Sequence, residues 1–183
     1  ADKGCFLHAP DTYMSKLAVG PAAKGALDIT DPVPLTLKRL AKALDKYVED
    51  VTVCILDRPR HNELIQQVRE VGCRIKLIGD GDVSGAIATC MDDSPVDILL
   101  GTGGAPEGVL SAAALKCMGG DFQGQLKFRN DEERSRALKM GITDPDKVFT
   151  MEELAAGESV LFCATGVTDG EMLRGVRFNP KGA

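Results

Sequence analysis

The chain has 183 residues, of which 44% are hydrophobic and 27% charged, and its formal net charge is −5. This length suits one domain with a buried core, and the composition is that of an ordinary globular protein. The 22 Lys and Arg residues are scattered and there is no Trp, so no nucleic-acid partner is expected. No apolar run reaches the roughly 18 residues that a membrane span needs, so no membrane partner is expected either.

The six cysteines are far apart in the sequence and form no C-x-x-C pair. This pattern favours reduced thiols, mostly in the core of a cytoplasmic protein, over disulfides or metal ligands. The chain begins with ADKGCFLHAP, without an initiator Met, and ends with VRFNPKGA, without a predicted closing element. We therefore expect it to be a piece of a longer polypeptide.

Strands and helices are predicted in alternation along most of the chain. A short strand at 4–9 precedes an irregular passage at 19–34, which is punctuated by Gly and Pro. A helix follows, with apolar positions at helical spacing from Leu37 to Val48. Continuous apolar runs then predict buried strands, and the 3.6-residue period predicts helices. These elements are a strand at 51–56, a helix capped by Asn62 and ended by Gly72, a strand at 74–78, a helix at 83–91, a strand at 96–100, a helix at 107–118 and a strand at 123–128.

The last third of the chain is predicted to add a charged helix at 130–141, a short helix at 150–157 and a strand at 159–168. Strands that alternate with helices predict a layered α/β fold with a mostly parallel or mixed sheet flanked by helices. No repeat or linker divides the chain, so residues 1–183 are treated as a single unit.

Three predicted strands run into loops that carry polar residues, at 57–61, 79–82 and 101–108. In open α/β sheets, ligands bind beyond the carboxyl ends of the strands. If these strands are parallel, their loops share one edge of the sheet and can face one pocket. His61, in the first loop, is interpreted as a structural or surface residue rather than a general base.

Two of these loops allow two interpretations each. Arg58 and Arg60 either form surface ion pairs or, on a loop stiffened by Pro59, make bidentate contacts to a phosphate. Asp80 and Asp82 most simply belong to a tight turn in which Asp82 caps the next helix. Alternatively, their carboxylates face a cation or the hydroxyls of a sugar.

The third loop lies in the sequence LLGTGGAPEGVLSAAALKC (99–117), where glycines allow a close approach to the backbone. Pro106 suits the first turn of a helix whose free N–H groups attract an anionic oxygen. Glu107 either complements the helix dipole or, next to a phosphate, holds a divalent metal ion. A dinucleotide fingerprint that starts at Gly101 would need glycine at position 106, and the chain has no P-loop, so NAD binding and Walker-type ATP hydrolysis lose their usual support.

In this order, the loops resemble those of class II fructose-1,6-bisphosphatase, a bacterial family in which some members also hydrolyse sedoheptulose 1,7-bisphosphate. The resemblance covers essentially the whole chain. It is carried by KGCFLHAPDTYM, VGPAAKG, DRPRH, DGDVSGAI, GTGGAPEGVLSAAALKCMGGDFQGQL, MGITDPDKVFTMEELAAGESVLFCATGVTDG and LRGVRF. It implies the general fold of the metal-dependent, lithium-sensitive sugar and inositol phosphatases.

The resemblance also implies substrate contacts for residues of these loops and of the segment APDTYM. The residues are Tyr13, Arg58, Pro59, Arg60, Asp80, Gly81, Asp82 and Gly104. The two arginines would hold the phosphate that is not cleaved, although many relatives carry Lys at the first of these positions. The Asp-Gly-Asp segment would bind the sugar hydroxyls, and Gly104 would offer its backbone to the substrate.

Glu107 would ligate one divalent metal ion, Mn²⁺ or Mg²⁺. The family's other metal ligands lie in GEGE-type and DPxEGT-type motifs, and neither motif occurs in this sequence. The chain thus resembles the C-terminal lobe of the enzyme, and no catalytic residue is assigned within it. We expect this polypeptide alone to have little or no activity.

For the complete enzyme, the resemblance implies hydrolysis of the 1-phosphate of fructose 1,6-bisphosphate to fructose 6-phosphate, in gluconeogenesis or the Calvin cycle. A cytoplasmic homodimer or homotetramer is expected. The alternative is a non-catalytic sugar-phosphate-binding or regulatory domain on the same lobe. An inositol or sugar-monophosphate phosphatase is disfavoured, because paired arginines suit a second phosphate.

Overall fold

Six strands and six α-helices make up the regular structure of the protein in a computed structural model that describes residues 1–170 and 172–178. The strands are β1 (Tyr13–Val19), β2 (Thr52–Leu56), β3 (Arg74–Ile78), β4 (Ile98–Gly104), β5 (Asp121–Lys127) and β6 (Val148–Thr150). The helices are α1 (Val33–Ala43), α2 (Asn62–Val71), α3 (Asp82–Ala88), α4 (Ala105–Met118), α5 (Asp131–Lys139) and α6 (Met151–Leu154).

The strands form one mixed sheet in the order β3-β2-β4-β1-β5-β6. Strand β2 pairs in parallel with both β3 and β4, whereas β1 is antiparallel to its neighbours β4 and β5. The predicted α/β fold with a mixed sheet is therefore confirmed. As expected, the carboxyl ends of β2, β3 and β4 share one edge, and the antiparallel β1 begins at that same edge.

Helices cover both faces of the sheet and create two hydrophobic cores. Successive side chains of a strand point to opposite faces, so Met14 and Ala18 of β1 join the core beneath α3 and α4. Leu17 and Val19 join the other core, beneath α1 and α2. Strand β2 is buried on both faces, as its continuous apolar run predicts.

Strand β1 was not predicted from the sequence, because Lys16 interrupts its apolar pattern. The three-residue β6 was missed as well. Strand β4 is longer than predicted and continues to Gly104, with Gly103 opposite Met14 and Gly104 opposite Tyr13 of β1. The glycines at 101–104 therefore belong to a strand and not to a loop.

Two predicted strands are wrong. Residues 4–9 contain only an isolated bridge, between Phe6 and Ala155. Residues 159–168 form no strand, although Val160 and Phe162 pack against the core while 83% of Leu161 is exposed. The apolar alternation is present there, but a strand also requires a neighbouring backbone with which to exchange hydrogen bonds.

The helix boundaries agree with the prediction in part. Gly72 ends α2 in the left-handed conformation, with φ of 93°, and Pro106 lies in the first turn of α4. Asn62 does not cap α2 but is its first residue, and the preceding position is occupied by His61. Helix α1 ends at Ala43, before the predicted limit at Val48, which belongs to a separate 3₁₀ turn.

None of the six cysteines, all of which the structure describes, forms a disulfide. Cys54 and Cys73 are buried, whereas Cys117 and Cys163 are exposed, so the expected core location holds only for some of them. Among the described residues, no helix is long and apolar enough to cross a bilayer.

Candidate functional site

Four segments meet at the edge where β2, β3 and β4 end and β1 begins. Tyr13, the first residue of β1, lies in register with Gly104, the last residue of β4. The Arg60 guanidinium lies over the Tyr13 ring, 5.0 Å from its centroid. Arg60 Nε also donates a hydrogen bond of 2.9 Å to the carbonyl of Thr102, and this hydrogen bond fixes the orientation of the guanidinium group. The loop after β2 is thereby attached to both β4 and β1.

The buried side chain of His61 links the loop after β2 to the ends of β2 and β4. It is buried, its Nδ1 lies 2.7 Å from the Leu56 carbonyl oxygen, and the Thr102 N–H donates to its Nε2 at 2.8 Å. Because Nε2 accepts a hydrogen bond, the proton resides on Nδ1 and the ring is neutral. Burial lowers the pKa of His61, and the neighbouring Arg60 lowers it further. The interpretation of His61 as a structural residue agrees with this geometry.

A buried ion pair lies on the opposite face of the sheet. Lys16 Nζ of β1 donates to Asp82 Oδ2 at 2.5 Å, and the Lys16 side chain is 1% exposed. Burial lowers the pKa of Lys16, an effect that the attraction of Asp82 partly offsets. The carboxylate rests against Gly103, where a Cβ atom would lie 2.0 Å from Asp82 Oδ2. Gly103 is therefore the residue that makes room for this pair.

Asp82 is the first residue of α3 and does not cap it. The capping position belongs to Gly81, which has a φ of 79°, a backbone conformation that favours glycine. The interpretation of Asp82 as a helix cap is thus wrong, because its carboxylate turns towards Lys16 instead of the helix backbone. Asp80 is exposed, and its Oδ1 accepts a hydrogen bond of 2.8 Å from the Gly81 N–H.

Glu107 occupies the first turn of α4 and is exposed. Its carboxylate folds back over Gly104, where a Cβ atom would lie 2.0 Å from Glu107 Oε2. The Glu107 backbone carbonyl accepts a hydrogen bond of 2.9 Å from Ser111 Oγ, but the Glu107 carboxylate makes no hydrogen bond or ion pair with any described residue. The negative charge of this carboxylate opposes the lowering of the Lys16 pKa by burial. Lys16 is thus paired with one carboxylate, that of Asp82, and is attracted by a second, that of Glu107, which is exposed and open to a ligand.

A divalent cation would fit this carboxylate but would need more ligands than the described residues supply. Within 1–170 and 172–178, no group of three or more His, Cys, Asp or Glu side chains could hold a metal ion. Mg²⁺ and Mn²⁺ prefer several oxygen ligands. Glu107 can therefore contribute one ligand, and the described part of the chain does not complete a site.

Comparison with known proteins decides the family. The model of the family described as bacterial fructose-1,6-bisphosphatase, glpX-encoded, matches residues 1–183. The chain belongs to this family.

The fructose-1,6-bisphosphatase relatives are similar along the whole of this chain. The chain is 50% identical to the D-fructose 1,6-bisphosphatase class 2/sedoheptulose 1,7-bisphosphatase of Synechococcus sp. (strain JA-2-3B'a(2-13)), and the match covers 100% of the chain and 56% of the relative. Proteins of the same name from Synechococcus sp. (strain JA-3-3Ab) and Microcystis aeruginosa (strain NIES-843 / IAM M-2473) are 49% and 48% identical over the same shares. The chain thus spans about half the length of these relatives.

The fold brings most of the predicted site residues to one edge of the sheet. Tyr13, Arg60 and Gly104 meet there on neighbouring strands and loops. Asp82 and Glu107 lie around Lys16. Pro59 begins the 3₁₀ turn that carries Arg60.

Arg58 and Asp80 stand apart from the other predicted site residues. Arg58 Nη1 donates to the carbonyl of Asp57 at 2.9 Å, and Arg58 does not share the contact of Arg60 with Tyr13. Within the described ranges, the Asp80 carboxylate is bonded to its own turn, through the Gly81 N–H. The two arginines therefore do not form a matched pair in this structure.

Sequence reasoning missed two cations at this edge of the sheet. Lys16 is buried within a strand, and a charge inside an apolar run could have signalled a functional residue, since charged side chains are almost never buried without a partner. Arg129 follows β5 and lies over the Tyr13 ring, 5.3 Å from its centroid. It belongs to none of the motifs recognised in the sequence, and only the fold brings it to Tyr13.

Proposed function

We propose that this chain forms the sugar-phosphate-binding part of a metal-dependent phosphatase, which hydrolyses the 1-phosphate of fructose 1,6-bisphosphate to fructose 6-phosphate. One observation carries the proposal: the same edge of the sheet presents a fixed guanidinium, Arg60 over Tyr13, and a carboxylate open to a ligand, Glu107. A sugar bisphosphate has two charged ends, one for each of these groups. Membership of the fructose-1,6-bisphosphatase family and the names of the relatives support this substrate.

In the proposed complex, Arg60 binds the phosphate that is not cleaved. A guanidinium is planar and rigid, and its N–H donors suit the oxygens of a phosphate. The hydrogen bond from Arg60 Nε to the Thr102 carbonyl orients this guanidinium before substrate binds. An open depression on the same side of the sheet is lined by Ser15, Arg60, Thr102 and Lys127, so hydroxyl groups and a second cation are available to the sugar and its phosphate.

At the other end, Glu107 supplies one ligand to Mn²⁺ or Mg²⁺ next to the phosphate that is cleaved. When bound, the ion polarises the phosphate and activates a water molecule. Backbone N–H groups in the first turn of α4, after Gly104, can donate to a phosphate oxygen. The remaining metal ligands must come from outside residues 1–170 and 172–178, which contain no group of side chains that could hold the ion alone.

A phosphate-release assay tests this function. In the full-length protein, we expect release of inorganic phosphate from fructose 1,6-bisphosphate with Mn²⁺ and none after chelation of the metal. Fructose 6-phosphate should not be hydrolysed, since it lacks the 1-phosphate. If the full-length protein binds the bisphosphate without releasing phosphate in the presence of Mn²⁺, it is a non-catalytic binding module and the proposal is wrong.

Three further properties belong to the proposal. Sedoheptulose 1,7-bisphosphate is a second substrate, supported by the double name of the relatives, and its hydrolysis should compete with that of fructose 1,6-bisphosphate. The enzyme works in the cytoplasm, which its six reduced cysteines favour. A homodimer or homotetramer remains a prediction that a sedimentation measurement can test.

A further inference from the structure

Two arginines that are far apart in the sequence lie against one aromatic ring. The guanidinium carbons of Arg60 and Arg129 lie 5.0 and 5.3 Å from the centroid of the Tyr13 ring. The two guanidinium carbons are therefore at most about 10 Å apart, and like charges at this range repel each other more strongly at a protein surface than in bulk water. The fold must therefore hold each of them in place by a separate contact.

Arg129 is held by Glu133, which is 3% exposed. The carboxylate of Glu133 accepts hydrogen bonds from Arg129 Nε at 2.6 Å, from the Arg129 backbone N–H at 3.0 Å and from Thr12 Oγ1 at 2.7 Å. These hydrogen bonds, with those of Arg129 first, lower the pKa of Glu133 to about 2. Its own backbone N–H donates to the side chain of Asn130, which caps α5. Glu133 is thus fixed by hydrogen bonds from several sides and remains charged at neutral pH.

Thr12 connects this anchor to the candidate site, because it immediately precedes Tyr13 in the chain. The Thr12 hydroxyl bonds to Glu133, and the Thr12 carbonyl accepts a hydrogen bond of 2.9 Å from the Ala105 N–H at the start of α4. One residue therefore positions Arg129, through Glu133, relative to both β1 and the beginning of α4.

Each arginine uses only one edge of its guanidinium for these anchors. Arg129 directs Nε and Nη2 to Glu133, and its Nη1 has no hydrogen-bond partner among the described residues. Its side chain is 58% exposed. Arg60 directs Nε to the Thr102 carbonyl, and its two terminal nitrogens have no hydrogen-bond partner in the described part of the chain. The remaining N–H groups of both arginines are therefore available to an anion beside Tyr13.

We propose that Arg129 is a second guanidinium of the phosphate-binding site at Arg60 and Tyr13, and that Glu133 and Thr12 are its positioning residues. The ligand is the phosphate dianion of a sugar phosphate, whose oxygens can accept hydrogen bonds from both arginines. Such a ligand relieves the repulsion between the two cations. Lys127, which is paired with Tyr13 in the sheet and is exposed, adds positive charge beside them. This inference rests on the proposed function, which places a phosphate at Arg60.

The test measures the binding of fructose 1,6-bisphosphate and fructose 6-phosphate by isothermal titration calorimetry. We expect Arg129→Ala to weaken the binding of both ligands about tenfold or more, because a charge-assisted contact is lost. Arg129→Lys keeps the charge and a contact to Glu133, and it should give a smaller loss. It also provides a second variant if Arg129→Ala is poorly folded.

Arg134→Ala is the matched control. Arg134 also forms an ion pair, with Asp146, and lies over an aromatic ring, that of Phe128 at 5.7 Å. It thus has the same kinds of contact away from Tyr13, and its removal should leave both affinities unchanged. An equal loss in the Arg134 and Arg129 variants would show a general charge effect and overturn the inference.

A double-mutant cycle tests the positioning role of Glu133. If Glu133 acts through Arg129, Glu133→Gln should weaken binding in the unaltered protein but cause no further loss in the Arg129→Ala background. Additive losses would overturn the positioning role.

Binding at Arg60 separates the failure of this inference from the failure of the proposed function. If Arg60→Ala weakens binding and Arg129→Ala does not, the inference is wrong and the proposed function stands. If the unaltered protein binds neither sugar phosphate, both are wrong.

Discussion

Lys16 and Asp82 form an ion pair that is 2.5 Å long and almost completely buried, with side-chain exposures of 1% and 10%. The pair joins the middle of β1 to the first residue of α3, beside Gly103. It therefore fixes the antiparallel β1 relative to the loop that carries Asp80 and Gly81.

Removing only the cation from this pair should strongly destabilise the fold. In Lys16→Met, the Asp82 carboxylate remains buried without a partner, and breaking a buried pair in this way typically costs about 3–5 kcal/mol. Urea denaturation measures the loss of unfolding free energy. The double variant Lys16→Met, Asp82→Asn should recover part of the stability, because it no longer buries an unpaired charge. A single variant within about 0.5 kcal/mol of the unaltered protein would contradict this prediction.

Gly103→Ala should disturb the same pair sterically. The new Cβ atom would lie 2.0 Å from Asp82 Oδ2 and 3.1 Å from Lys16 Nζ, so the carboxylate must move. We expect a loss of about 1–3 kcal/mol, as is usual for overpacked positions. Gly79→Ala is the control, since no atom lies within 4 Å of its added Cβ. Equal thermal stability of the two variants would show that Gly103 has no special steric role.

His61 should make the stability depend on pH below neutrality. Burial lowers its pKa in the folded state, so the unfolded chain binds a proton first as the pH falls. The contribution of neutral His61 to the free energy of unfolding is therefore complete above the ordinary histidine pKa of about 6.5. It declines as the pH falls from there towards the lower pKa of His61 in the folded state. Urea denaturation of the unaltered protein between pH 7.5 and pH 5 should show this decline in unfolding free energy. The decline should be smaller in the His61→Gln variant. His8→Gln, which alters an exposed histidine, should retain it.

Glu107→Gln should reduce the metal dependence of the full-length enzyme. The amide keeps the shape of the side chain but is a weaker ligand for Mn²⁺ than a carboxylate. We expect the Mn²⁺ concentration for half-maximal phosphate release to rise about tenfold or more, with a lower maximal rate. Glu152→Gln, at another exposed glutamate in the first turn of a helix, is the control and should leave both values unchanged. An identical metal titration for Glu107→Gln would remove Glu107 from the metal site.

The amino-acid sequence by itself determined the alternation from β2 to α4 and the edge at which the loops meet. Continuous apolar runs and helical periodicity are local signals, and each was long enough at 51–56, 74–78 and 107–118 to specify its element. Parallel pairing of β2, β3 and β4 then places their carboxyl ends on one side. Arg60, Gly104 and Glu107 could therefore be predicted to converge, whereas Tyr13 was assigned only by the family resemblance, because β1 was not predicted.

Only the tertiary structure decided how the charges at this edge are paired. Lys16 is paired with Asp82, and Arg129 contacts Glu133 and the Tyr13 ring. Lys16 and Asp82, and likewise Arg129 and Tyr13, lie on strands and loops that are distant in the sequence. Such contacts depend on the insertion of β1 between β4 and β5 and on its register, because a shift by one residue would turn Lys16 to the opposite face. No local pattern encodes that register. It arises when both faces of the sheet are packed at once.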